Sequence, residues 1–116
     1  MQSIKVKVIQ LSAELVDYFI ANDIFHVDVS LDMAKDHFSI TVKGHTDTAP
    51  DDLEQLASAL TEGRQPEMDE YYDNLVGCEY RDQGYHMMGA LVDESEVRFA
   101  NGVLSVRIRQ NGHFTY

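Results

Sequence analysis

The sequence predicts a single α+β domain, a two-layer α/β sandwich whose mixed, mostly antiparallel sheet carries helices on one face. Three observations predict it: a hairpin with a definite register near the C-terminus, a second pair of alternating strands earlier in the chain, and apolar stripes at helical spacing between them. The predicted order is β-α-ββ-α-α-α-ββ. All 116 residues are expected to form this one domain.

The C-terminal hairpin is predicted from its turn. Asn101 and Gly102 both tolerate the positive φ that a two-residue type I′ turn requires, so Ala100 should pair with Val103. A slip by one residue would move the buried side chains to the solvated face and the solvated ones to the buried face. This register is therefore well specified. This register predicts the apolar pairs Phe99–Leu104 and Val97–Val106. It also predicts the charged pairs Glu96–Arg107 and Glu94–Arg109.

The N-terminal segment is predicted to be a strand followed by a helix. Residues 3–9 alternate apolar side chains with lysines, which is the period of a strand with one covered face. Ser12 is expected to cap the helix, which should end near Ala21 with Asn22 and Asp23 as the stop. Its predicted apolar stripe consists of Leu15, Val16, Phe19 and Ile20.

A second hairpin is predicted in the middle of the chain, from residues 25–31 and 37–43 joined by the polar link 32–36. Its predicted apolar pairs are Val27–Val42, Val29–Ile40 and Leu31–Phe38. The other face, which should be in contact with water, carries His26, Asp28, Ser30, Ser39, Thr41 and Lys43.

Three further helices are predicted. The first starts after Pro50 and ends at Gly63, and its inward positions are Leu53, Leu56, Ala57 and Leu60. The second covers residues 67–76 and opens with an acidic turn after Pro66. A polar connector at 77–84 then leads to a short helix at 85–92.

Composition restricts the classes of function. The formal net charge of −11 would repel nucleic acid and anionic membranes, so we expect a protein partner, preferably a basic one. The sequence shows no secretory leader and no apolar run of about 18 residues, which favours a cytoplasmic protein. The lone cysteine, Cys78, fits a reducing compartment and is more typical of a packed residue than of a nucleophile.

Two segments resemble a known superfamily. Residues 14–50, a helix ELVDYFIA followed by strands FHVDVSL and HFSITVKGHTDTAP, resemble the core of the GHKL ATPases, which include histidine kinases and anti-sigma kinases. The C-terminal MMGALVDESEVRFANGVLSVRIR resembles the closing helix and two strands of that family. The resemblance implies a bacterial regulatory protein, a helix with a magnesium-binding Asn, and an Asp-x-Gly-x-Gly loop that binds adenine.

The chain departs from that pattern where a nucleotide would bind. Tyr18 falls where the magnesium-binding Asn is expected, the adenine loop lacks its Asp and two glycines, and only Gly84 stands in place of a glycine-rich phosphate loop. We therefore expect a degenerate member that needs no cofactor. The candidate degenerate pocket consists of Asp17, Tyr18, Gly44, His45, Thr46, Asp47, Thr48 and Gly84.

Two enzymatic alternatives are open. One is an anti-sigma-type protein kinase or ATPase with an altered site, whose residues would be Asp17, Tyr18, His45 and Asp47. The other is a metal-dependent enzyme that uses His26 and His45, each followed two residues later by an Asp. A metal site needs three or four converging ligands, and this spacing does not ensure them, so no metal is expected.

The preferred hypothesis is a non-catalytic interaction or regulatory module. Tyr71 and Tyr72, in the acidic helix predicted at 67–76, cannot both face the core, because neighbouring residues of a helix lie about 100° apart. An exposed ring there would suit an interface, although one ring lying over a helix end is the more ordinary outcome. The candidate interaction surface consists of Glu67, Asp69, Glu70, Tyr71, Tyr72 and Tyr80. A second copy of the chain, pairing through a sheet edge, is a candidate partner.

Overall fold

The computed structural model describes residues 4–60 and 92–116. They form two helices and a four-stranded antiparallel sheet, which confirms the predicted α+β sandwich. The elements in chain order are α1 (Ile4–Ala21), β1 (Val27–Met33), β2 (His37–His45), α2 (Leu53–Leu60), β3 (Glu94–Ala100) and β4 (Val103–Asn111). Helix α1 packs against β1 and β2, and α2 packs against β3.

The terminal hairpin has the predicted register. Asn101 and Gly102 adopt φ values of 54° and 75°, as a type I′ turn requires. Every predicted pair is present, from Ala100 with Val103 to Glu94 with Arg109. Strand β4 also pairs with β2, so the hairpin joins the central strands in the order β1-β2-β4-β3.

The first hairpin is displaced by two residues from the prediction. Val29 lies opposite Val42 and Leu31 opposite Ile40, because the turn contains only residues 34–36 and closes with the Ala34 amide donating to the His37 carbonyl at 2.9 Å. A shift of two preserves the side-chain period. The predicted faces are therefore correct although the pairs are not.

The predicted first strand is wrong, since residues 4–9 form the start of α1. Ser12 lies inside this helix and donates to the Val8 carbonyl at 2.7 Å instead of capping it. The helical spacing of Val8, Leu11 and Leu15 continues to Phe19, and all four side chains are buried. One long stripe against the sheet outweighs the β-propensity of a few alternating valines and isoleucines.

The other helix boundaries agree in part with the prediction. Helix α1 ends at Ala21 as expected, and Asp23 has a φ of 61° in the turn that follows. In α2 the buried residues are Leu56, Ala59 and Leu60, so Ala59 replaces the predicted Ala57. The predicted stop at Gly63, the helix at 67–76, the connector and all but the last residue of the helix at 85–92 lie outside the described residues. Val92 is described, and it is buried but not helical.

The core lies between the two helices and one face of the sheet. Its fully buried members include Phe19 and Leu15 from α1, Ile40 from β2 and Val106 from β4. The opposite face of the sheet is largely polar, as predicted, although Ser39 on that face is only 6% exposed. Among the described residues, no helix is long and apolar enough to cross a membrane.

Candidate functional site

The region predicted to correspond to a nucleotide site lies between α1 and the chain that follows β2. Tyr18, from the last turns of α1, is buried and its hydroxyl donates to a carboxylate oxygen of Asp52 at 2.9 Å. Asp52 immediately precedes α2. The side chain at the position expected for a magnesium ligand is therefore used to connect two helices.

Gly44, near the end of β2, is closely enclosed. A Cβ atom at this residue would lie 2.5 Å from Cγ2 of Ile24 and 2.7 Å from Cδ2 of Phe19. Both neighbours are fully buried, so neither can move aside without disturbing the core. Apolar side chains thus occupy the space that a side chain at residue 44 would need.

The loop after β2 is held by bonds within the fold. The Thr46 amide donates to the Gly102 carbonyl at 3.0 Å, which connects this loop to the turn of the terminal hairpin. The Thr46 hydroxyl donates to the Thr48 carbonyl at 2.9 Å. Asp47 and Thr48 are exposed. Gly84, the remaining member of the predicted pocket, lies outside the described residues.

The two histidines of the metal alternative are neighbours. The His45 amide donates to the His26 carbonyl at 3.2 Å, and the strand register places both side chains on the open face of the sheet. Within residues 4–60 and 92–116, however, no group of three or more His, Cys, Asp or Glu side chains is arranged to hold a metal ion. The fold therefore places two of the four candidate ligands, the two histidines, side by side. The described residues do not complete a metal site around them.

The open face also carries a trough of about 400 Å³, whose charged lining residues are Lys43, Glu96, Arg98 and Arg107. Arg98 pairs with Glu96 on its own strand at 3.0 Å, although Glu96 lies opposite Arg107 as predicted. Arg109 pairs with Glu94 across the strands at 3.4 Å. These exposed pairs have little effect on stability, and the face is an ordinary solvated one.

The candidate interaction surface predicted around Tyr71 and Tyr72 lies wholly outside the described residues. A different surface, which the sequence interpretation missed, is present on the side of the sheet that faces the helices. We call it the edge surface, and it consists of Ile9, Val29, Leu31, Met33 and Tyr116, which are 63%, 46%, 46%, 37% and 39% exposed. A groove of about 320 Å³ lies at its centre, lined by all of these except Val29 and by Lys5 and Val8.

The edge surface exists because β1 is at the edge of the sheet and α1 covers it incompletely. The sequence contains a signal for it, the alternation of Val29 and Leu31 on one predicted apolar face, whereas Met33 falls in the predicted link 32–36. Alternation shows which side chains share a face and not whether another element covers them.

Tyr116 lines the groove and has a raised pKa. Its hydroxyl donates to the Ala34 carbonyl at 2.7 Å. Desolvation by the surrounding side chains raises the pKa most, and the negative charges of Asp32 and Asp36 raise it further. A folded-state pKa above the unfolded value means that the stabilisation is complete below about pH 10 and is lost as the pH rises through the folded value.

We expect Tyr116→Phe to lower the free energy of unfolding at pH 7 by about 0.5 to 1 kcal/mol, since one partly exposed hydrogen bond is lost. The difference between the wild type and the variant should be the same at pH 7 and pH 9 and should shrink above the raised pKa. Urea unfolding at each pH measures it. A difference that stays constant into the alkaline range would contradict the assignment.

No protein-family model matches the chain, and no curated protein matches it.

Proposed function

We propose that the chain is a non-catalytic, cytoplasmic protein-interaction module on a degenerate ATPase scaffold of the GHKL type. The order of its described elements supports the scaffold. A helix precedes a hairpin, and a second hairpin follows later in the chain, as the resemblance to that superfamily implies. This second hairpin pairs with the central strand β2.

The observation that carries the loss of nucleotide binding is the environment of Gly44. The adenine-binding carboxylate of the family is absent from this loop, and Phe19 and Ile24 enclose the position where the loop begins. Tyr18, in place of a magnesium ligand, is engaged with Asp52. A module that has lost catalytic groups and retains an exposed apolar surface is best suited to binding another protein.

Thermal unfolding with and without Mg-ATP tests the proposal. A ligand at 100 times its dissociation constant stabilises a fold by about 2.7 kcal/mol, which raises the midpoint of a small domain by roughly 10 °C. We expect no such shift at millimolar Mg-ATP. Magnesium tripolyphosphate is the matched control, because it carries the charge without adenine.

A shift with Mg-ATP that tripolyphosphate does not reproduce would overturn the proposal. It would favour the altered-site kinase or ATPase, whose candidate residues are Asp17, Tyr18, His45 and Asp47. A shift with zinc or manganese that disappears in His45→Ala would favour the metal-dependent enzyme instead.

A further inference from the structure

The free edge of β1 has a defined hydrogen-bonding pattern. The His26 carbonyl and the Ala34 amide both bond to β2, and inward and outward groups alternate along a strand of an antiparallel pair. Even-numbered residues of β1 therefore bond to β2. Odd-numbered residues point their backbone N–H and C=O groups away from it, and β2 is the only strand that pairs with β1 in the described part of the chain.

These same odd-numbered residues carry the apolar side chains of the edge surface. Val29 and Leu31 are each 46% exposed and Met33 is 37% exposed. Edges that are protected from pairing usually carry a charged residue or a proline. Neither interrupts these three apolar side chains on this face of β1. Among the described residues, outward-directed backbone groups and exposed apolar side chains thus occur together along one strand.

Helix α1 extends this surface. At 100° per residue, Val16 and Ile20 lie on the same side of α1 as Ile9, which borders the groove beside Leu31 and Met33. Ile20 is 48% exposed and Val16 is partly buried. The helix therefore presents a second apolar stripe, distinct from the stripe that packs on the sheet and directed towards the β1 edge.

We propose that the edge surface is a dimer interface in which β1 pairs antiparallel with β1 of a second copy, centred on Leu31. This inference deepens the proposed interaction role by naming the partner. Leu31 lies opposite its own counterpart, Val29 lies opposite the partner's Met33, and Ser30 lies opposite the partner's Asp32. The outward backbone groups of both strands are then satisfied.

Charge disfavours the register displaced by one residue. Displacing the centre by one residue, to Ser30, places Asp28 opposite the partner's Asp32, and like charges directly opposite are destabilising. The register centred on Leu31 places Asp28 opposite the partner's Ala34. It also brings the apolar side chains of the two strands together on the helix side.

The geometry of α1 favours a second copy over an unrelated strand. Strands are about 4.8 Å apart, so two helices that each lie over β1 and β2 come within about 10 Å across the two-fold axis, the usual distance between packed helices. The stripes of Ile9, Val16 and Ile20 then face each other. A twofold interface of this kind is self-complementary.

The described residues on either side of 61–91 lie near the other edge of the sheet. The Leu60 carbonyl accepts a hydrogen bond from the Ser95 hydroxyl of β3 at 3.3 Å, and Val92 lies two residues before β3. The described chain therefore leaves and returns beside β3, at the edge of the sheet opposite β1.

Disulfide cross-linking tests the register. In a Cys78→Ser background, Leu31→Cys should form a covalent dimer under mild oxidation, because directly paired residues have Cα atoms about 5.5 Å apart. Val29→Cys is the matched control, since its exposure is equal but its counterpart would be about 14 Å away. We expect the first variant to cross-link and the second to remain largely monomeric.

Sedimentation of the wild type completes the test. We expect a dimer that dissociates on dilution, because two chains of net charge −11 repel each other. Salt should strengthen the dimer, because it screens this repulsion. Leu31→Asp should be monomeric with an unchanged circular dichroism spectrum, since the side chain is half exposed.

A wild type that is monomeric at all concentrations would overturn the dimer, as expected if another segment or another protein covers the edge. Equal cross-linking of both cysteine variants would also overturn it. A dimer that Mg-ATP stabilises would instead overturn the loss of nucleotide binding and leave the interface intact.

Discussion

Val106→Asp is expected to leave the domain largely unfolded. Val106 is completely buried on β4, between Val42 of β2 and Val97 of β3. An unpaired carboxylate at this position costs at least about 4 kcal/mol, which is comparable with the whole stability of a small domain, about 5 to 15 kcal/mol. Circular dichroism and urea unfolding measure the loss.

Arg107→Asp is the matched control for this prediction. Arg107 is exposed on the open face, opposite Glu96, so the substitution adds one like-charge contact and should cost less than about 1 kcal/mol. The two substitutions introduce the same residue at adjacent positions. Equal damage from both would show that the faces of β4 have been assigned incorrectly.

Gly44→Ala is expected to lower the free energy of unfolding by about 1 to 3 kcal/mol, the usual cost of inserting a methyl group into a packed interior. Its Cβ atom would lie 2.5 Å from Ile24 and 2.7 Å from Phe19. Urea unfolding measures the loss. The experiment also bears on function, because a carboxylate side chain at this position would need more space than the methyl group and would cost more.

Phe19→Leu provides the control for Gly44→Ala. The smaller side chain is destabilising by itself, because it leaves a cavity beside Gly44. In the double variant the new methyl group should fill part of that cavity, so the combined loss should be smaller than the sum of the two single losses. Strict additivity, or a neutral Gly44→Ala, would contradict the close packing.

The contrast between the two ends of the chain shows what local patterns can predict. The terminal hairpin is specified by a turn pair whose backbone preference agrees with the alternation on both sides, and each predicted pair is present. At the N-terminus, five alternating residues fit a strand and a helix equally well. The decision depends on Leu11, Leu15 and Phe19, which continue a helical stripe beyond the alternating stretch.

The sequence predicts which nucleotide-binding residues the candidate site lacks. The absence of the Asp and glycines from the loop beginning at Gly44 is visible in the sequence, but the contact of Gly44 with Phe19 and Ile24 is not. Nor could the bond between Tyr18 and Asp52 be predicted, because it joins residues separated by 34 positions through the packing of two helices.

The amino-acid sequence by itself determined the fold class, the faces of the strands and the register of the terminal hairpin, since turn preference and side-chain period act over a few neighbouring residues. Only the tertiary structure decided which apolar residues are covered. Val29 and Val42 have the same side chain and are paired on the same face, yet one is 46% exposed and the other is fully buried. The difference arises because β2 lies inside the sheet beneath α1, whereas β1 lies at its edge.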